Sequence, residues 1–341
     1  MATQKTLNPR ESAKLIASLS TNVFIEKTGI QRIAQEVLRG LKNRDVHIDN
    51  FSQHNLHPSK HDPRTVDWIF LLDTLNFCFW PEGDDTKWEV TKHTGYFALC
   101  AALKRAISQK QLRTEPYFYS EITKEDLEFI LQGDNASAKI PLFMERLKCL
   151  HEIGRVLTKK YFGSFVNCIY SCKNSAEKLL KLIVTDFECF RDEADYKGHK
   201  VSFYKRAQIL IGDIWACYGG KGLGEFHDID KITMFADYRV PQVLVHFGAL
   251  RYSKYLLEIL QSNTVLTPGS PLEVEIRGCS IEVIEQVKDE VKSLIEASPD
   301  LALKKSDCNA ILIDHFLWDY RRQHAENLES IPFHKVKSIY Y

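Results

Sequence analysis

The run "MFADYRVPQ", Met234–Gln242, sets one carboxylate, Asp237, between Phe235 and Tyr238, with Arg239 two places on and Pro241 four places on. Pro241 disfavours the α region for Val240, so the residues before it are expected to be extended or turning. The proline itself suits the first turn of a helix carrying "VLVHFGALRYSKYLLEIL". Asp237 then stands just upstream of a helix N-terminus. In an extended segment Asp237 and Arg239 project to the same side, and a nearby guanidinium favours the ionised carboxylate. An ionised carboxylate in an apolar pocket can stabilise a developing oxocarbenium ion. A surface aspartate that pairs with Arg239, or that caps the helix, would fit the same residues. The spacing leaves both readings open.

A second run, "AILIDHFLWDYRR", is apolar nearly all round from Ala310 to Tyr320, which implies burial. It nevertheless carries Asp314, His315 and Asp319, and buried charges need partners. His315 and Asp319 are i, i+4 neighbours, and Asp319 is in reach of Arg322. Helix salt bridges would explain them, as would a cavity binding a polar, cationic ligand. In "DWIFLLDTLNFCFW" the spacing puts Asp73, Asn76 and Trp80 on one helix face, either for buried interhelix hydrogen bonds or for a pocket. In "VSFYKRAQILIGDIW", Lys205 enters an amphipathic helix that buries Ile209, Leu210 and Trp215. Lys205 could anchor a single phosphate or simply be solvated.

Two motifs carry less. "HNLHPSKH" offers His54, His57 and His61, but Pro58 breaks any helix that would align them, and no cysteine or carboxylate completes a metal set. "YGGKGLGEF" lacks the Gly-Lys-Ser/Thr ending of a phosphate loop and the strand before it, so it reads as a tight turn between helices. No metal and no cofactor is expected.

The elements that position these residues are mainly helical. Ile30, Ile33, Ala34, Val37, Leu38 and Leu41 follow helical spacing. Asn8 with Pro9 reads as an N-cap and first turn, and Thr123 with Asp126 as a capping pair. Further helices are predicted at about 140–158, 174–187, 201–217, 241–261, 280–296 and 307–323, with a small β-hairpin in "KWEVTKHTGYFAL". There is no repeat and no long linker. The chain is expected to form a single compact helical unit over residues 1–341, with a division into lobes at about 1–120 and 121–341 left open and the polar stretch 108–124 as the best internal break.

The bulk numbers exclude some functions. Lys+Arg and Asp+Glu both total 45, so the formal net charge is zero, and a grip on extended nucleic acid is not expected. The N-terminal residues carry no apolar core of signal-peptide length. The most apolar run is too short to span a bilayer and contains Asp73 and Asn76. Nine scattered cysteines without a Cys-x-x-Cys pair fit reduced thiols, and Cys168 and Cys172 read as packing residues. A cytoplasmic protein is expected, with nuclear access open.

Taken together, "SFYKRAQILIGDIW", "MFADYRVPQVL", "LNFCFW" and "IDHFLWDYRR" resemble the queuosine salvage protein family over essentially the whole chain. The resemblance implies a compact multi-helix fold like that of the helix-hairpin-helix DNA glycosylases, in which an aspartate just before a helix serves glycosidic cleavage. Asp237 occupies the matching place. "GGKGLG" does not reproduce the usual glycine hairpin of those enzymes, so a mononucleotide substrate is expected rather than DNA. The family implies hydrolysis of queuosine 5′-monophosphate to queuine and ribose 5-phosphate. By the same resemblance, Phe235 would stack on the base and His54 would close over it. Asp314, His315 and Asp319 would read the base edges and the aminomethyl-cyclopentenediol arm, and Lys205 would hold the 5′-phosphate. Two competing readings stay in view: a non-catalytic helical module that binds tRNA or a partner protein, and a DNA or tRNA glycosylase, or a lyase using Lys205 as a Schiff base. Oligomeric state is not readable.

Overall fold

The computed structural model describes residues 5–81, 86–109 and 112–341. Two residues of the expected break at 108–124, numbers 110 and 111, lie outside the described residues, as do the first four of the N-terminal stretch. The architecture is mainly α, with sixteen α-helices and four two-stranded sheets among the described residues. The expected hairpin is present: Glu89–Val90 pairs antiparallel with His93–Thr94. Its turn is fixed by Asp134, which accepts the amides of Thr91 and Lys92 at 2.9 Å each.

The chain packs as two compact units. The first comprises residues up to Ile48, Asp192–Gln208 and Asp230–Lys337; the second comprises Asp49–Arg191, Ile209–Ile229 and Ser338–Tyr341.

The first unit is built on one long helix, Pro271–Glu296, which packs against helices Pro9–Leu19, Lys27–Asn43, Val240–His246 and Ala310–Gln323. Sequence periodicity predicted only its second part, 280–296. The missing turns carry Glu273, Glu275 and Arg277, which break an amphipathic pattern yet are buried. Gly278 lets the first helix come close, since a Cβ there would lie 2.6 Å from Ile16. Asn8 and Glu11 form a reciprocal capping box around Pro9, extending the predicted cap. Helix Lys27–Asn43 buries all six residues of the predicted stripe.

The predicted helix 241–261 is interrupted. Helix Val240–His246 ends, Gly248 turns the chain at φ +73°, and Leu250–Tyr252 pairs antiparallel with Val23–Ile25 before helix Lys254–Gln261. The predicted helix 201–217 begins only at Lys205, because His199–Ser202 is a strand paired with Glu193–Tyr196. The last predicted helix runs Ala310–Gln323, with the Asn309 side chain accepting the Leu312 amide at 2.9 Å.

In the second unit the apolar helix Thr65–Thr74 is shorter than expected. Asn76 and Trp80 lie beyond its end and so share no helix face with Asp73, although Asn76 Nδ2 still donates to Asp73 Oδ1 at 3.2 Å. The stop has a distant cause. The buried Arg146 guanidinium donates to the carbonyls of Leu75, Phe77 and Cys78 and lies 4.2 Å from the centre of the Phe77 ring. Helices Phe143–Lys160 and Ala176–Asp186 match their predicted positions. Thr123 accepts the Asp126 amide, as its spacing implied. "YGGKGLGEF" follows helix Lys205–Cys217 as a turn, with positive φ at Gly219, Gly220 and Gly222. All nine cysteines are free and buried. No helix among the described residues is long and apolar enough to cross a membrane.

Candidate active site

Through Thr233–Asp237 the first unit has no regular secondary structure, yet the segment is held at successive positions by three helices. Gln208 Oε1 accepts the Thr233 amide at 2.8 Å, and Gln208 Nε2 donates to Thr233 Oγ1 at 2.9 Å. Asp314 Oδ2 accepts the Phe235 amide at 3.0 Å. Arg277 Nε donates to the Ala236 carbonyl at 3.0 Å. A loop whose peptide groups are satisfied this way gains little by moving.

Asp237 follows at once. Its Oδ1 accepts the amides of Arg239 and Val240, both at 2.9 Å, so this oxygen caps helix Val240–His246. The helix begins at Val240, one residue earlier than the proline rule implied. Asp237 is neither a bulk-solvent residue nor fully enclosed: it stays partly exposed between buried neighbours. The expected pairing with Arg239 is secondary. Arg239 donates to Gln242 Oε1 at 3.1 Å and stacks 4.4 Å from the centre of Phe333. Burial pushes the Asp237 carboxyl above its ordinary range, and the Lys205 ammonium opposes that shift more than Arg239 does.

Asp314 is 4% exposed. Its carboxyl is pushed well above the usual range, first by burial and next by the negative charge of Asp237, with the Phe235 amide and Lys205 opposing. Two carboxylates in one apolar setting resist joint ionisation. Asp237, Asp314 and Lys205 therefore form one electrostatic group. Lys205 is buried rather than solvated, and its amide donates to Asp192 Oδ2 at 3.1 Å.

The Phe235 ring is buried, with its centre 5.9 Å from that of His315 at a 54° tilt. Burial lowers the His315 imidazole to about 4, so it is neutral at pH 7. Asp319 stands on a more exposed face of the same helix; desolvation raises its carboxyl and Arg322 opposes, in line with the spacing. Asp237, Lys205, Phe235, Asp314 and His315 thus share one neighbourhood of the first unit. His54 belongs to the second unit, where its ring stacks on Phe97 at 3.9 Å and 11°. His57 Nδ1 lies 2.7 Å from the Phe51 carbonyl. No cluster of three or more metal-capable side chains occurs among the described residues. Two open surface hollows, one beside Lys14 and Arg251 and one beside Lys148 and Arg155, are lined by none of these groups.

Sequence reasoning missed Gln208 and Arg277, which hold the loop, and Asp192, which pairs with Arg277. The available signal was a polar side chain inside an apolar run, Gln208 in "AQILIG" and Arg277 in "VEIRGCSI".

These features define a class: a mainly helical protein in which a carboxylate on a clamped pre-helix loop, Asp237, is grouped with a second carboxylate and a buried lysine carried by helices. The chain belongs to the queuosine salvage protein family, whose model, described as "Queuosine salvage protein", matches residues 56–341. It is 44% identical over 340 residues to a Bos taurus protein named queuosine 5′-phosphate N-glycosylase/hydrolase, covering 98% of this chain and 99% of that one. A Schizosaccharomyces pombe protein of the same name is 36% identical over 354 residues, covering 97% and 99%. One from Sphaerobacter thermophilus is 37% identical over 290 residues, covering 84% of each.

Proposed function

We propose that the chain hydrolyses the N-glycosidic bond of queuosine 5′-monophosphate, releasing queuine and ribose 5-phosphate. The name shared by the relatives supports the reaction. The observation that carries the mechanism is Asp237, held on a clamped loop beside a second carboxylate and a lysine.

The chemistry is demanding because a 7-deazaguanine has carbon in place of N7, so protonation there cannot help expel the base. The reaction must instead stabilise positive charge on the ribose. Oδ1 of Asp237 carries both capping bonds, so Oδ2 is the oxygen we assign to C1′. It serves as electrostatic partner, as base toward water, or as transient ester. In each case water supplies the hydroxyl to C1′ and the proton to the departing base. Phe235 is assigned to stack on the base. Asp314, His315 and Asp319 are assigned to the base edges and the cationic arm, His54 to cover the base and Lys205 to the 5′-phosphate. The zero net charge supports a small substrate over a stable nucleic-acid complex. The nine free cysteines fit a cytosolic setting, with the nucleus left open.

The test is mass spectrometry of queuosine 5′-monophosphate after incubation with the wild type, Asp237→Asn and Asp237→Ala. Free queuine from the wild type, and a loss of about 100-fold or more in both variants, is the expected result. No release by the wild type, combined with salt-sensitive tRNA binding, would overturn it.

A further inference from the structure

Arg277 lies within the long helix, 2% exposed, and its planar side chain is fixed in three directions. Nε donates to the Ala236 carbonyl at 3.0 Å. Nη1 and Nη2 donate to Asp192 at 2.9 and 2.6 Å. Nη1 also lies 3.4 Å from Glu273 Oε1, and the guanidinium sits 4.1 Å from the centre of the Phe203 ring. Asp192 Oδ2 accepts in addition the amide of Lys205 at 3.1 Å. One buried ion pair therefore touches both the peptide that leads into Asp237 and the backbone amide of Lys205, whose ammonium opposes the raised carboxyl of Asp237 more than Arg239 does.

We propose that Arg277 is a positioning residue for the hydrolysis: it holds the peptide before Asp237 directly and the backbone of Lys205 through Asp192, and so sets the Asp237 carboxylate relative to the residue that carries the ammonium. The inference rests on the functional reading above. A buried ion pair is by itself weak evidence of a stabilising role, because well-packed apolar residues often serve stability as well. Geometry is what the pair supplies here. The guanidinium fork sets angles as well as charge, and a lysine cannot reproduce a bidentate grip together with a third donor. A displacement of about 1 Å at a reacting group can reduce turnover about 100-fold.

The experiment uses the full chain and four variants, each checked for folding by melting curves. Arg277→Lys keeps the charge and loses the fork. Asp192→Asn keeps the shape and loses the ionic partner. Arg277→Met combined with Asp192→Leu replaces the pair by apolar volume, which keeps the test usable if a lone buried charge unfolds the single variants. Glu275→Gln is the control: Glu275 lies on the same helix but holds Ser20, the Asn22 amide and Tyr196 instead. In the folded Arg277 and Asp192 variants kcat is expected to fall about 10- to 100-fold, with KM within about threefold of wild type. The acid limb of the pH profile should also move to higher pH, as Lys205 supports the ionised carboxylate less well. Glu275→Gln should lower the melting temperature and keep kcat within about twofold. A folded pair variant with kcat within about threefold of wild type, or one losing no more than the control at equal loss of stability, would overturn the proposal. Absence of turnover by the wild type defeats the functional reading itself, and this inference with it. Wild-type turnover with unaffected variants defeats this inference alone.

Discussion

The amide of Phe235 donates to the carboxylate of Asp314 at 3.0 Å, joining the pre-helix loop to the C-terminal helix. This bond fixes the backbone that carries the Phe235 ring, and it sets Asp314 in a place where the charge of Asp237 raises its carboxyl. Asp314 is thus both a tether and a receiver of that charge.

The first prediction follows from that charge. The reaction needs Asp237 ionised, so activity is present above its pKa and lost as pH falls through it. Both carboxyls are raised, which puts the acid limb of kcat/KM above the ordinary aspartate value of about 3.9. The charge of Asp237 raises Asp314, so Asp314 takes up its proton first as pH falls, and Asp314→Asn should leave that limb where it is, whatever it does to the rate. A pH profile of both proteins checks this, and a limb that moves to lower pH contradicts it.

Stability should respond in the opposite sense to activity at Asp237. Its folded pKa is raised, so the ionised group opposes folding at neutral pH and the opposition fades on acidification. Asp237→Asn should therefore melt no lower than wild type at pH 7, with the difference shrinking toward pH 4. The amide can still accept the two capping bonds. A clear fall in melting temperature at pH 7 would show that the negative charge itself supports the loop.

His334 offers a separate test in the same unit. It is 1% exposed, and burial, then the charge of Arg277, lower its imidazole to about 3. The unfolded chain binds this proton below about pH 6.5, so the stability from the buried neutral ring is present above that pH and lost as pH falls toward the folded value. By pH 5 the loss amounts to about 2 kcal/mol. The raised carboxyls of Asp237 and Asp314 act the other way, so the informative quantity is a difference. Denaturant titrations of His334→Gln should show a flatter decline between pH 7 and pH 5 than wild type, by about that amount.

Gly29 tests the packing. A Cβ there would lie 2.1 Å from the amide nitrogen of Ala249, which is backbone and cannot swing away. Gly29→Ala should destabilise the chain by about 2–4 kcal/mol in chemical denaturation. Gly163→Ala is the comparison, since nothing lies within 4 Å of a Cβ there, although its φ of +77° adds a backbone cost.

Local chemistry was legible and distant chemistry was not. Asn8, Pro9 and Thr123 act on neighbours in sequence, so their helix starts could be read directly. The stop after Thr74 depends on Arg146, about seventy residues on, and the break at Gly248 serves the close approach of Gly29. Neither leaves a local trace, because the apolar spacing continues on both sides of each break. Charged residues inside a buried helix are equally illegible. Glu273, Glu275 and Arg277 lie ahead of the helix predicted at 280–296, and their burial becomes intelligible only with Asp192, Ser20 and Tyr196 in view. At the candidate site, Asp237 was marked by its own neighbours, the aromatic residues and the proline. The bonds that hold it come from residues 208, 277 and 314, which a linear reading cannot bring together.

The burial of every thiol has a practical consequence. Desolvation holds Cys217, Cys279 and Cys308 near 12, so the native chain should be almost inert to maleimides and iodoacetamide. Cys279 and Cys308 belong to the first unit and the other seven cysteines to the second. Alkylation mapped by peptide mass in rising urea would then record which unit loosens first, without any introduced label.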